Sequence, residues 1–111
     1  MRLPNADRVI IDNRKLRDYL LSPAHPVGRF KAAFFASLGF DAAAWDQLEL
    51  QLRTLALHNR AELDERTTFG QKYIVRGIIK GSTTRYAEVR TVWIIRQGED
   101  IPRFVTALPG E

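Results

Sequence analysis

Apolar positions recur with a helical period through the first half of the chain and with a strand-like alternation through the second. Residues Lys15 to Leu21 predict a short helix that Ser22 and Pro23 stop, because a residue before proline is pushed out of the helical region. Pro26 suits the first position of a second helix, where its missing N–H is no loss. Val27, Phe30, Phe34 and Leu38 then recur at spacings of three and four as one apolar stripe, and Gly39 ends it as a C-cap. Asp41 is a good N-cap for a third helix with Trp45, Leu48, Leu52, Leu55 and Ala56 on one face. Beyond about Asn59 the helical pattern fades.

From there the texture changes. The runs Gln71 to Ile79 and Tyr86 to Arg96 are rich in β-branched and aromatic residues, and Gly81 to Thr84 between them suits a hairpin loop. Arg103 to Leu108 predicts a last strand, and Thr67 to Phe69 a short one before Gly70. Alternation along the last strand sets Arg103, Val105 and Ala107 on one face and Phe104, Thr106 and Leu108 on the other. Arg103 and Thr106 therefore face opposite sides unless a bulge intervenes. The expected fold is α+β: three N-terminal helices (about 15–59) packed on a C-terminal three- or four-stranded antiparallel sheet (about 66–108). With 111 residues and no repeat or linker, it is expected to be a single globular domain, 1–111.

Composition narrows the chemistry. A hydrophobic content of 45% supports one core, and the absence of cysteine removes disulfides and thiolate metal sites. Two histidines are too few for the usual four-ligand zinc site, so no metal and no cofactor are expected. No apolar run approaches the roughly 20 residues of a membrane span, and the N-terminus lacks the apolar core of a signal peptide. The expectation is a soluble, cytoplasmic protein with no membrane partner.

The net charge of +4 is unevenly spread. Residues 1–40 carry seven Lys/Arg against three Asp, and 71–96 carry six against Glu88 alone, whereas 41–70 and 97–111 are acidic. Two basic segments sharing a face would attract a polyanion such as RNA; taken singly, each cation is equally well read as a solubilising charge.

His25 is the leading candidate for chemistry. Before Pro26 it would sit at a helix N-terminus, where free N–H groups and the positive dipole end favour a neutral ring able to accept a proton. The same helix start could hold a phosphate oxygen, with Arg29 and Lys31 to neutralise it; the plain alternative is that His25 only caps the helix. A second cluster comprises Thr91, Trp93, Arg103 and Thr106, with Trp93 readable as core or as a stacking platform for a base. Lys15, Lys72, Arg76 and Arg90 complete the cationic set. His58, in a last helical turn, is read as a partner for the dipole. The carboxylates form no acidic triad for two-metal chemistry, and no glycine-rich phosphate loop is present.

In order, the segments LPNADRVIID, KLRDYLLSPAHPVGRFKAAFFASLGF, GQKYIVRG, AEVRTVWII and EDIPRFVTALP resemble a family of small bacterial domains of uncharacterised function. Its members occur free-standing and as C-terminal tips of secreted polymorphic and contact-dependent inhibition toxins. The resemblance runs from about Leu3 to Pro109, and its specific part is HPVGRFKAAFF. It implies functional weight for Lys15, Tyr19, His25, Pro26, Gly28, Lys31, Trp93, Arg103 and Thr106. Phe30 stands where the family more often has a small polar residue, the GSTTR hairpin departs from the usual proline and glycine, and Leu108 replaces a tyrosine that could stack. Helices before sheet also looks like the order in barnase, colicin D and RelE-like ribonuclease toxins, a likeness of architecture.

Together these features imply a metal-independent ribonuclease toxin, with RNA as substrate and a small cognate immunity or antitoxin protein as partner. His25 would be the base or acid, Lys31 and Arg103 would hold the phosphate, and Thr106 would orient it. Lys15, Arg29, Lys72, Arg76, Arg90 and Trp93 would bind substrate. Two alternatives use the same residues differently: a non-enzymatic module binding nucleic acid or protein, and an assembly element that would show an exposed apolar patch and no cleft.

Overall fold

The run Tyr86–Arg96 is rich in β-branched and aromatic residues because it is a central strand, paired on both sides. In the computed structural model, which describes residues 1–110, four antiparallel strands lie in sequence order: β1 (Ala61–Thr67), β2 (Gly70–Lys80), β3 (Tyr86–Arg96) and β4 (Arg103–Pro109). The β2–β3 register is unbroken from Gly70 opposite Arg96 to Lys80 opposite Tyr86. One face of the sheet supplies the core: Tyr73, Val75, Ile79, Val89, Trp93, Phe104 and Ala107 are buried. Thr91 is buried among them with its polarity satisfied. Its hydroxyl donates to the Val75 carbonyl and accepts from the Trp93 indole N–H, both at 2.7 Å.

A bulge in β4 determines which side chains reach that core. Val92 pairs with Thr106 but Trp93 pairs with Phe104, leaving Val105 as the extra residue. Both Phe104 and Ala107 are thereby buried, and Thr106 and Arg103 lie opposite Val92 and Ile94, on one common face. The bulge on which a shared face depended is thus present.

The expected three helices packed on the sheet do not form. Lys15–Leu20 is a π-helical stretch in which the Leu21 N–H reaches back five residues to the Leu16 carbonyl at 2.8 Å. The widened turn brings residues four apart closer to one line: Leu16 and Leu20 are fully buried, and Lys15 and Tyr19 face away from them. Residues 22–28 stay in turns because Pro23 and Pro26 bracket them, so the next helix, α1, spans only Arg29–Ser37. Its inward side is Ala32 and Phe35, continued by Leu38, rather than the stripe expected from Val27. Val27 precedes the helix, and Val27 and Phe30 are exposed at 63% and 72%.

Asp41 caps as expected, accepting from the Ala44 N–H at 2.9 Å, but what it caps is a 3-10 turn, Ala42–Ala44. That turn leads into α2 (Trp45–His58), whose Leu48, Leu52, Leu55 and Ala56 are buried in the shared core. α2 packs on β2, whereas α1 and the π-helical stretch pack against the edge strand β4.

The sheet starts earlier than the sequence suggested, at Ala61 rather than near Thr67. AELDERT has little strand character of its own. It pairs as an edge because Glu62 and Glu65 meet Arg76 and Lys72 on β2. The N-terminal segment finishes the opposite edge: the Phe104 N–H donates to the Ile10 carbonyl at 2.8 Å while Val9 and Ile11 are buried. Among the described residues no helix is long and apolar enough to cross a membrane.

Candidate functional site

A cleft of about 700 Å³ opens between the π-helical stretch, the His25 loop and β4. Asp12, Lys15, Tyr19, His25, Val105 and Thr106 are among its walls. The close approach of chain segments that makes it depends on Gly28. A Cβ there would lie 2.0 Å from the Tyr19 carbonyl oxygen, so any side chain would push the loop off the π-helical stretch.

Three side chains from three elements converge at its wall. The Lys31 ammonium, from the first turn of α1, donates to the Tyr19 hydroxyl at 2.6 Å and to the Thr106 hydroxyl at 3.0 Å. Tyr19 and Thr106 are themselves 3.3 Å apart. Lys31 has no carboxylate partner among the described residues, so its charge acts on these two hydroxyls. Burial is the largest single influence on the Tyr19 phenol and pushes it up. The hydrogen bonds from Lys31 and Thr106, with the charges of Lys31 and Lys15, together outweigh burial and leave it below its ordinary range.

His25 stands beside this group, its ring edge-on to Tyr19 with centroids 5.0 Å apart. It is a cap, though of the turn before α1 rather than of the helix itself. Its Nδ1 accepts the N–H groups of Val27 and Gly28, each at 3.0 Å. A nitrogen accepting two N–H bonds cannot carry a proton, so the proton of the neutral ring sits on Nε2. The ring is thereby fixed as a donor through Nε2.

At the mouth, Lys15 donates to the Val105 carbonyl at 3.3 Å. Asp12 is neutralised by Arg14, whose side-chain and backbone hydrogen bonds hold its carboxyl down at about 2. The structure thus brings Lys15, His25, Lys31 and Thr106 together, and adds Tyr19.

The other sequence candidates are elsewhere. Arg29 lies over its neighbour Phe30, 4.8 Å from the ring centre, on the exposed side of α1. Arg103 shares the face of Thr106 but is held by Glu99 through two bonds of 3.0 and 3.2 Å, which raises its own pKa and lowers that of Glu99. Lys72 and Arg76 are paired with Glu65 and Glu62. Arg90 stands directly across from Arg76, with its Nε buried and without a partner among the described residues. Trp93 is wholly buried, edge-on to Phe104 at 5.4 Å, and is core. His58 is exposed at the end of α2. No cluster of three or more potential metal ligands occurs among the described residues.

Tyr19 is the residue that sequence reasoning undervalued. Its spacing of four from Lys15 was visible, but a regular helix gave no reason to turn both toward a strand ninety residues away.

The chain matches one family, described as a domain of unknown function (DUF6883), over residues 2–111. No curated protein matches it. Among solved structures it is similar to a chain of a contact-dependent growth inhibition toxin–immunity protein complex from Klebsiella pneumoniae 342. That likeness has a TM-score of 0.70 at 17% identity and covers 96% of this chain and 97% of the other, a likeness of fold.

Proposed function

The chain belongs to the DUF6883 family, and from that premise we propose that it is a toxin-related domain whose cleft cleaves RNA without a metal. The toxin-related part is supported by the fold shared with a chain of a toxin–immunity complex, and a small cognate immunity protein is the partner this suggests. The chemical part rests on one observation: a lysine unpaired with any carboxylate among the described residues, bonded to the tyrosine and threonine hydroxyls of an open cleft that a histidine fixed as a donor also lines.

Those groups suit transfer within a ribose phosphate. The Tyr19 oxygen, its deprotonated form favoured by Lys31, removes the proton of the 2′-hydroxyl. The 2′-oxygen attacks phosphorus, and the bond from phosphorus to the 5′-oxygen breaks. Lys31 and the Nε2–H of His25 hold the non-bridging oxygens as their charge grows, and Thr106 fixes the Lys31 ammonium. The leaving 5′-oxygen takes its proton from the Lys15 ammonium at the mouth. The products are a 2′,3′-cyclic phosphate and a 5′-hydroxyl end. His25 acts in this scheme as a donor, because protonation at Nδ1 would expel the two N–H groups it caps.

A second reading, a binding module without catalysis, draws on the basic and apolar outer face of the sheet. Inducible expression in a bacterium separates the two. Wild type should stop growth and degrade total RNA on a gel, and Tyr19→Phe and His25→Ala, at equal soluble levels, should do neither. Normal growth and intact RNA with the wild-type chain would sink the catalytic reading.

A further inference from the structure

Beyond the cleft, the outer face of the sheet carries a second groove of about 650 Å³, lined by Thr67, Phe69, Lys72, Ile94, Arg96 and Val105. Phe69 is the anomaly there. It is 76% exposed at the tip of the β1–β2 hairpin and contributes nothing to the core. It is nevertheless held in place: its N–H donates to the Thr67 hydroxyl at 3.1 Å, and its carbonyl accepts from the Gln97 N–H at 2.9 Å. A large ring held out in water on an anchored backbone is a platform for another flat group.

The surroundings define that group. Lys72 pairs with Ile94 in the ladder and Arg96 is two residues further along β3, so both cations share a face with the apolar floor of Ile94 and Val105. Lys72 is shared with Glu65 at 3.2 Å, while Arg96 is exposed and bonded to no carboxylate among the described residues. An aromatic platform flanked by cations suits a stacked base and its phosphate.

The groove also adjoins the cleft. Val105, the extra residue of the β4 bulge, lines both. A strand lying in the cleft and passing Val105 would enter this groove, where Phe69 stands.

We infer that this groove is a subsite for single-stranded RNA, in which Phe69 stacks a base next to the reacting nucleotides and Arg96 holds its phosphate. The inference rests on the proposed action on RNA and extends it to the substrate: an unpaired strand, since a base within a duplex cannot offer its face to Phe69.

The test is fluorescence anisotropy with a labelled octanucleotide carrying 2′-O-methyl groups, which can bind but offers no 2′-hydroxyl to react. Phe69→Ala should weaken binding about tenfold and Phe69→Trp should restore it. Arg96→Gln should weaken it several-fold, and Phe30→Ala, an equally exposed ring remote from the groove, should leave it unchanged. A duplex of the same length should bind Phe69→Ala and wild type alike. Equal octanucleotide affinity for wild type and Phe69→Ala overturns the subsite, whether or not the chain cleaves RNA. A loss confined to Phe69→Ala in a chain that cleaves nothing keeps the subsite and discards the catalytic reading. If an acidic peptide displaces the strand from wild type but not from Phe69→Ala, and the strand itself binds no more tightly than the peptide, the groove is a protein-docking site and the inference fails.

Discussion

At the scale of single residues, the site's chemistry turns on which atoms are already engaged. His25 looked like a base from sequence because a histidine at a helix start tends to be neutral; its Nδ1 bonds to Val27 and Gly28 show that the available nitrogen is a donor. Tyr19 is the complementary case. Burial disfavours its phenolate, and Lys31 with Thr106 and Lys15 more than offsets this. The folded chain therefore binds fewer protons than the unfolded chain between the lowered pKa of Tyr19 and its ordinary one. Stability rises with pH across that window, is fully present above the ordinary tyrosine range, and is lost as pH falls through the folded value. Lys31→Met removes the nearest charge and a hydrogen bond but leaves burial, so the phenol should titrate higher. Ultraviolet difference titration reads this directly, with Tyr19→Phe identifying which of the three tyrosines moved. A Tyr19 transition at the same pH in both chains would refute the role given to Lys31.

At the scale of elements, what the sequence shows is periodicity, and what it hides is pairing. The buried face of α2 and the two central strands were legible because Leu48, Leu52 and Leu55, or the β-branched runs of β2 and β3, carry their burial in their own spacing. β1 was not, since Glu62 and Glu65 become strand residues only by meeting Arg76 and Lys72. Nor was the inward side of α1 legible, because Val27 and Phe30 continue its period but are left in solvent by a turn fixed through His25 and Gly28. The candidate site was half legible. The cations, His25 and Thr106 were named from the sequence, whereas Tyr19 needed the π-helical turn, and the face Thr106 shares with Arg103 needed the bulge at Val105. Pairing also creates a cost. Arg90 faces Arg76 across the β2–β3 ladder, and its buried Nε has no acceptor among the described residues. Like charges directly opposite destabilise a sheet, and an orphaned buried donor costs about 1–3 kcal/mol. Arg90→Met keeps a long stem and removes both, so the urea midpoint should rise with an unchanged slope. A fall in that midpoint would show that Arg90 is anchored by its terminal nitrogens.

At the scale of the whole molecule, the basic segments do not add up to a uniformly positive face. Asp12 holds Arg14, and the acids Glu62 and Glu65 of β1 lie along Arg76 and Lys72 of β2, so part of the charge counted along the sequence is neutralised locally. Of the cations that no carboxylate among the described residues pairs, three stand at the cleft and the groove: Lys31, bonded to Tyr19 and Thr106, Lys15 and Arg96. Each phosphate neutralised on a single strand contributes roughly −0.7 to the slope of log affinity against log salt. Three contacts give a slope of about −2 for the octanucleotide. Arg96→Gln should make that slope shallower by roughly 0.7. The opposite change is the more telling one, because it adds affinity instead of removing it. Glu65→Gln releases Lys72, which already faces the groove, so binding should tighten at low salt and the slope should steepen by roughly 0.7. Glu62→Gln, which frees Arg76 away from the groove, should change neither. If Glu62→Gln and Glu65→Gln shift affinity equally, the chain responds to net charge alone, and the cations of the cleft and the groove do not mark the path of the strand.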